Sequence, residues 1–277
     1  MIRRLAAPRR AWPFVHRLAW TAAAAGLAAS AGACAGRLLV RPSGLGAAAP
    51  DGAARWAAVV DACRNVRTYR ARLGLSGTVA NRHIPGFASA VLGLAVTSAG
   101  EIGLEARVSG QLVFTMAGTA DHARLFLVED QRVVDAPADT IVDALIGVPI
   151  GPARLLAVLA GCVSTSDGMT EAARYGDVLR VVSGDTTVFL EDRNGAWAVR
   201  AGDAPSLQVD YQAVDSGRPS RLAIRSTPGA DPRVSIVLHV DDAEINRPLP
   251  ASVFSVRVPD TATPMSIEEL RASGAAR

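Results

Sequence analysis

Near the middle of the chain, apolar residues recur at helical spacing in two successive runs. The first run consists of Ile141, Val142, Leu145 and Ile146, and the second consists of Leu155, Leu156 and Leu159. Asp139 or Thr140 would cap the first helix, and Gly147 suits the left-handed residue that ends it. Pro152 favours the first turn of the second helix, which we expect to end at Gly161. This stretch therefore predicts a helical hairpin that covers an apolar face.

On both sides of the hairpin, apolar and polar residues alternate with a period of two, which is typical of strands with one buried face. Polar or turn-forming residues at 81–86 and 164–176 predict loops between strands. The predicted strands lie at 69–76, 90–97, 102–108, 111–117, 123–129, 131–135, 178–183, 186–191, 196–200, 207–213, 234–240 and 254–258. Short strands joined by tight turns favour an antiparallel meander.

Two further helices are predicted outside the hairpin. An apolar stripe at i, i+3, i+4 and i+7 predicts an amphipathic helix at 55–67, and its members are Trp56, Val59, Val60 and Cys63. A short capped helix is expected at 266–271. The chain is therefore mainly β (α+β), with about 11 strands in one domain.

Composition and charge argue against a nucleic-acid-binding protein. The chain has 277 residues, is 49% hydrophobic and only 5% aromatic, and carries a formal net charge of +3. All 29 basic residues are arginine, and five of them precede Cys34 in a segment without acidic residues. The remaining 24 arginines face 26 acidic residues, a balance of −2. The mature chain thus lacks the basic excess expected of a DNA or RNA binder.

The first residues have the marks of a secretory signal peptide. An arginine-rich start is followed by an uncharged run of mostly Ala and Gly that ends in Ala-Gly-Ala-Cys at Cys34. This ending resembles the lipobox of bacterial lipoproteins, in which the cysteine becomes the acylated first residue. In those lipoproteins, an Asp directly after the cysteine is the usual signal for retention in the inner membrane, and this chain has Ala35 there. The resemblance therefore implies a lipid-anchored protein on the periplasmic face of the outer membrane. The alternative is ordinary cleavage beside an incidental cysteine.

The order of elements and two segments resemble the lipoprotein-localisation proteins LolA and LolB. The segments are LIGVPIGPARLLAVLAGC, at the hairpin, and EINRPLPASVFSVRVP, near the end. The resemblance covers residues 55–260 and implies an unclosed antiparallel β half-barrel whose concave apolar face is covered by helices. It also implies lipid or lipoprotein acyl chains as the ligand. We expect a signal peptide at 1–33, a flexible lipidated tether at 34–54 and a C-terminal tail at 261–277.

By the same resemblance, the hairpin at 139–161 and the helix at 55–67 would form a lid over the ligand. The candidate cavity and lid residues are Trp56, Val59, Val60, Leu145, Leu155, Leu156 and Leu159. LolB carries an exposed apolar residue on a protruding loop, and the candidates here are Ile84 and Phe87. Both could instead be packed in the core.

Once Cys34 is committed to lipid, Cys63 and Cys162 remain as an even pair in an oxidising compartment. A disulfide between them would join the two lid elements. The alternative is a pair of buried free cysteines that act as small apolar residues.

The sequence contains no recognisable catalytic or cofactor motif, such as G-x-S-x-G, H-E-x-x-H or a P-loop. His83, His122 and His239 have no second ligand at metal spacing, and the acidic group at 241–244 lacks the spacing of a calcium loop. We expect a monomeric binding protein with no catalytic residue, metal, cofactor or nucleic-acid partner. The alternatives are an envelope lipoprotein that binds another protein without a lipid ligand, and an esterase of unrecognised type.

Overall fold

A computed structural model describes residues 38–80, 82–163, 168–193, 195–215, 218–231 and 233–273. Cys34 and the leader at 1–33 lie outside these residues, so the signal-peptide and lipidation predictions stay predictions. None of the described helices combines the length and the apolar character that a membrane span needs.

The described strands form one sheet. In chain order they are β1 (Ala47–Ala48), β2 (Thr68–Val79), β3 (Arg82–Ala95), β4 (Glu101–Val108), β5 (Gln111–Thr119), β6 (Ala123–Leu127), β7 (Arg132–Ala136), β8 (Met169–Tyr175), β9 (Val178–Ser183), β10 (Thr186–Arg193), β11 (Ala196–Asp203), β12 (Leu207–Asp215), β13 (Arg218–Ser226), β14 (Val234–Ile245) and β15 (Thr263–Pro264). Across the sheet the order is β1-β8-β9-β10-β11-β12-β13-β14-β2-β3-β4-β5-β6-β7-β15. The pairs are antiparallel except β7 with β15. Since β1 and β15 are the two edges and do not pair, the predicted unclosed antiparallel sheet is confirmed.

The described sheet has fifteen strands rather than about eleven. The predicted loop at 164–176 contains β8, which pairs with β9 and β1. Strand β13 was missed because Leu222, Ala223 and Ile224 are consecutive and all buried, which hides the period of two. The predicted break at 81–86 is also wrong, because β3 begins at Arg82 and pairs with β2 there.

The predicted last strand at 254–258 is absent. A 3₁₀ turn, Ala251–Phe254, lies instead against β4 and β5. Gly93 and Gly103 face each other across β3 and β4 and make room for this turn. A Cβ atom on Gly103 would lie 1.9 Å from the carbonyl oxygen of Val253, so the backbone approaches as closely as only glycine permits. The acidic group at 241–244 lies within β14.

Four described α-helices flank the strands: α1 (Gly52–Arg64), α2 (Ala138–Ile146), α3 (Pro152–Leu159) and α4 (Ile267–Ser273). Gly147 has φ +72° and ends α2 as predicted, and Pro152 opens α3. The predicted cap of α2 is wrong, because Pro137 is its N-cap and makes no side-chain bond. Ser266 caps α4 in a reciprocal pair of bonds with Glu269, so that helix is confirmed.

The inner face of the sheet is the face that carries Tyr69 and Leu73, and the helices cover it. Helix α1 packs on β8, β9 and β11, α2 packs on β6 and β7, and α3 packs on β3 and β4. Cys63 of α1 meets Cys162, which follows α3, with their Cα atoms 5.8 Å apart. This separation suits a disulfide. The buried residues of sheet and helices form one hydrophobic core.

The expected flexible tether at 34–54 is fixed to the sheet over its described part. Arg41 donates to both carboxylate oxygens of Asp210, at 2.8 and 3.0 Å, and to Asp203. Asp210 is fully buried and also accepts from Arg225 and from the backbone of Leu39. Burial alone would lower the pKa of Arg41, but its bonds with Asp203 and Asp210 raise that pKa above the usual value. The glycine- and alanine-rich composition could not reveal these partners, since they come from distant strands.

Candidate functional site

An apolar cavity of about 200 Å³ lies between the sheet and the helical hairpin. The inner faces of β2, β3, β4, β5, β13 and β14 form one wall, and α2, the connection after it and α3 form the other. Representative lining residues are Leu92, Leu104, Leu238, Val142, Leu145 and Leu155. Among the described lining residues, only Ser89 and Arg107 are polar. A cavity of this kind offers water few hydrogen bonds and favours an apolar ligand.

The short connection between α2 and α3 forms part of the cavity wall. Because Gly147 takes a left-handed conformation, the chain turns directly from α2 toward α3. Val148 and Ile150 in the connection are then only 1% and 3% exposed, and both line the cavity. Val148 and Ile150 were not among the predicted lining residues, because helical periodicity identifies apolar positions in the helices and not in the link between them.

The predicted cavity residues separate into two groups. Leu145 and Leu155 line the apolar cavity. The others do not line it and are buried in the core instead; they are Trp56, Val59, Val60, Leu156 and Leu159. Helix α1 packs on the other half of the sheet, so it does not cover this cavity as the resemblance implied.

Ile84 is placed differently from the prediction of a protruding loop. It lies in β3, is 9% exposed and lines the apolar cavity. For Ile84, the alternative of packing in the core is therefore the correct one. The side chain of Phe87 lies outside what the structure describes, and its membrane-facing role stays a prediction.

Arg107 brings a positive charge to the edge of the apolar cavity. The pairing of β4 with β5 shifts register between Ala106 and Arg107, and such a bulge changes the direction of a side chain. The guanidinium lies 3.5 Å from the carboxylate of Glu105 and donates to the carbonyl oxygen of Gly110 at 3.2 Å. Its charge is therefore already partly balanced by neighbours on the same hairpin.

A second pocket, the polar pocket, has a volume of about 210 Å³ and adjoins the apolar cavity. It lies between the start of β3, the C-terminal half of α2 and α4, and its polar lining residues are Arg82, His83, Asp143 and Arg271. Ile84 and Leu145 line both spaces. The two spaces therefore share part of their apolar lining.

The described residues show no cluster of three or more His, Cys, Asp and Glu side chains that could hold a metal ion. His122 is exposed in the turn between β5 and β6, and His239 is exposed on β14. Burial raises the pKa of the Tyr69 and Tyr211 hydroxyls, so both phenols stay protonated at neutral pH.

No protein-family model matches the chain, and no curated protein matches its sequence. Solved structures of similar architecture include a LolA superfamily protein from Nitrosomonas europaea, at 10% identity and a TM-score of 0.47 over 72% of this chain and 97% of that one. A DUF1329 family protein from Desulfovibrio piger has 8% identity and a TM-score of 0.47 over 74% and 95% of the two chains. The Mycobacterium tuberculosis lipoprotein LppX has 12% identity and a TM-score of 0.32 over 73% and 99%.

Proposed function

We propose that this chain is a lipid-anchored envelope protein that holds an acyl chain of a lipid or lipoprotein in the apolar cavity. The observation that carries this proposal is an apolar space beneath the hairpin whose described lining is hydrophobic apart from Ser89 and Arg107. Burial of each methylene group there would contribute about 0.8 kcal/mol to binding. A lipoprotein that only bound another protein would need no such space, so the cavity favours a lipid ligand.

The size of the cavity limits how much of a lipid it takes. About 200 Å³ is below the ~300–1,000 Å³ of sites that enclose whole drug-sized ligands. We therefore expect one acyl chain to enter in part, and a full-length chain to require an outward shift of the hairpin.

We further propose that Cys34 is acylated after removal of residues 1–33, and that the protein is a monomer on the periplasmic face of the outer membrane. Residues 55–260 would form the lipid-binding domain, with 34–54 before it and 261–277 after it. In this setting the protein would act in the transfer of lipids or lipoproteins to the outer membrane, without enzymatic activity. An oxidising compartment would also join Cys63 to Cys162.

Lipid analysis of the exported protein tests the function. The Cys34→Ser chain should purify from the periplasm without detergent and should carry a lipid that mass spectrometry identifies after extraction. The wild-type chain should require detergent and should incorporate labelled fatty acid. Equal fatty-acid incorporation in both chains would contradict the anchor, and a lipid-free Cys34→Ser protein that binds no added lipid would contradict the function.

A further inference from the structure

The polar pocket places positive charge next to the apolar cavity. Arg82 and His83 come from the start of β3, and Arg271 comes from α4. The hairpin of β2 and β3 extends to the pair Val79 and Arg82, and this pairing carries Arg82 to the rim of the pocket.

The charges that line the pocket do not cancel. Nη2 of Arg271 lies 2.9 Å from Oδ2 of Asp143, so this carboxylate balances one of the two arginines. Arg82 makes no ion pair or side-chain hydrogen bond with any residue that the structure describes. The two arginines and Asp143 together carry a net charge of +1, which one anionic group would balance.

The chemistry of these groups indicates the kind of anion. A guanidinium presents a planar set of donors that matches a carboxylate or a phosphate, and such charge-assisted bonds are stronger than neutral ones. Arg107 does not line the polar pocket; it lies at the apolar cavity, where Glu105 and Gly110 engage its guanidinium.

We propose that the ligand is an amphiphile with an anionic head group, whose carboxylate or phosphate binds Arg82 and Arg271 in the polar pocket while its acyl chain occupies the apolar cavity. Ile84 and Leu145, which line both spaces, mark the boundary between head group and chain. This inference rests on the proposed function and adds to it the class of lipid that is bound.

The test compares lipids that share a chain and differ in the head group. Oleate, oleoyl lysophosphatidate and the neutral glycerol ester monoolein are titrated into the Cys34→Ser chain, and dissociation constants are measured by displacement of a fluorescent fatty acid. Arg82→Gln should weaken the binding of oleate and lysophosphatidate by about tenfold or more, because one charge-assisted contact is lost. It should leave the affinity for monoolein unchanged. Arg271→Gln should weaken them further, since it also leaves Asp143 without its partner.

Two variants sharpen the comparison. Asp143→Asn removes the competing carboxylate, so it should tighten the binding of oleate several-fold and leave the affinity for monoolein unchanged. Arg124→Gln is the matched control: Arg124 is also an exposed arginine paired with an aspartate, Asp135, at 2.8 Å, but it lies on β6 and does not line the pocket. That variant should change neither the affinity for oleate nor the affinity for monoolein. Thermal unfolding of every variant confirms that each is folded.

The outcomes separate the two proposals. If no lipid binds the unsubstituted chain, both the proposed function and this inference are wrong. If all three lipids bind and Arg82→Gln and Arg271→Gln affect them equally or not at all, the acyl site stands and the head-group site is overturned. Binding of millimolar inorganic phosphate that does not displace oleate, with no loss of oleate affinity in Arg82→Gln, would also overturn it, because the pocket would then serve a free anion.

Discussion

The hydroxyl of Tyr211 donates a 2.7 Å hydrogen bond to the carbonyl oxygen of Val158. Tyr211 lies on β12 and is fully buried, and Val158 lies in the last turn of α3, where helix carbonyls lack partners within the helix. The bond therefore fixes the end of the hairpin to the sheet. Since α3 forms part of the cavity wall, the same bond holds that wall in place.

Removal of this hydroxyl should loosen the hairpin. Tyr211→Phe should lower the free energy of unfolding by about 1 kcal/mol, since the carbonyl of Val158 keeps its bond from the backbone N–H of Gly161. Tyr69→Phe is the matched control, because the buried hydroxyl of Tyr69 has no hydrogen-bond partner in the described part of the chain. Urea unfolding should show no loss, or a gain, for Tyr69→Phe. An equal loss in the two variants would show that the Tyr211 bond contributes nothing specific.

The two buried tyrosines also predict how stability depends on pH. Burial raises the pKa of both Tyr69 and Tyr211, whereas tyrosine in the unfolded chain loses its proton near pH 10. Above about pH 10 the folded state thus holds more protons than the unfolded state, so the free energy of unfolding falls as pH rises. Below that pH the contribution is complete. In Tyr211→Phe the fall above pH 10 should be shallower by about 1.4 kcal/mol per pH unit, which urea titrations at several pH values measure. The same steepness in wild type and variant would contradict this account.

The cysteine pair predicts a redox-dependent stability. Cys63 and Cys162 are separated by 99 residues in sequence, so a bond between them would contribute up to about 4.7 kcal/mol in the chain-entropy model. Reduction should lower the free energy of unfolding, and the double variant Cys63→Ala/Cys162→Ala should no longer respond to reductant. Non-reducing peptide mapping of periplasmic protein should recover the linked peptides. Two alkylatable thiols in the denatured mature chain would contradict the disulfide.

Local patterns predicted the elements whose causes are local. The left-handed Gly147 and the helix-opening Pro152 were read from sequence because their effects concern the backbone of their own turn. The segment at 254–258 was misread because its alternation suits a strand, while glycines in β3 and β4 bring the preceding turn against the sheet. Such a contact depends on residues far away in sequence.

In the candidate site, too, features with local causes were predicted and features that depend on distant residues were not. Leu145 and Leu155 were predicted to line the cavity and do so, because each lies on an apolar face of the hairpin. Leu159 has the same helical spacing but faces the core, and periodicity does not distinguish a packed position from one beside an open space. The polar pocket was not predicted, because Arg82 and Arg271 lie far apart in the sequence and no spacing rule connects them.

The difference between Leu155 and Leu159 provides the most direct test of the acyl-chain site. Leu155 is partly exposed and lines the apolar cavity. Leu159 lies on the same helix but is fully buried in the protein core. A glutamate at 155 places a charge where the acyl chain would lie, and a glutamate at 159 places it among packed side chains. The same substitution therefore addresses the ligand site in one case and the fold in the other.

Native mass spectrometry of the periplasmic Cys34→Ser chain, combined with urea unfolding, makes this comparison. We expect one bound lipid per chain without further substitution, loss of that lipid in Leu155→Glu with most of the stability retained, and a large loss of stability in Leu159→Glu. A lipid-free parent chain, or a Leu155→Glu protein that keeps its lipid, would contradict the central claim that the cavity under the hairpin holds an acyl chain.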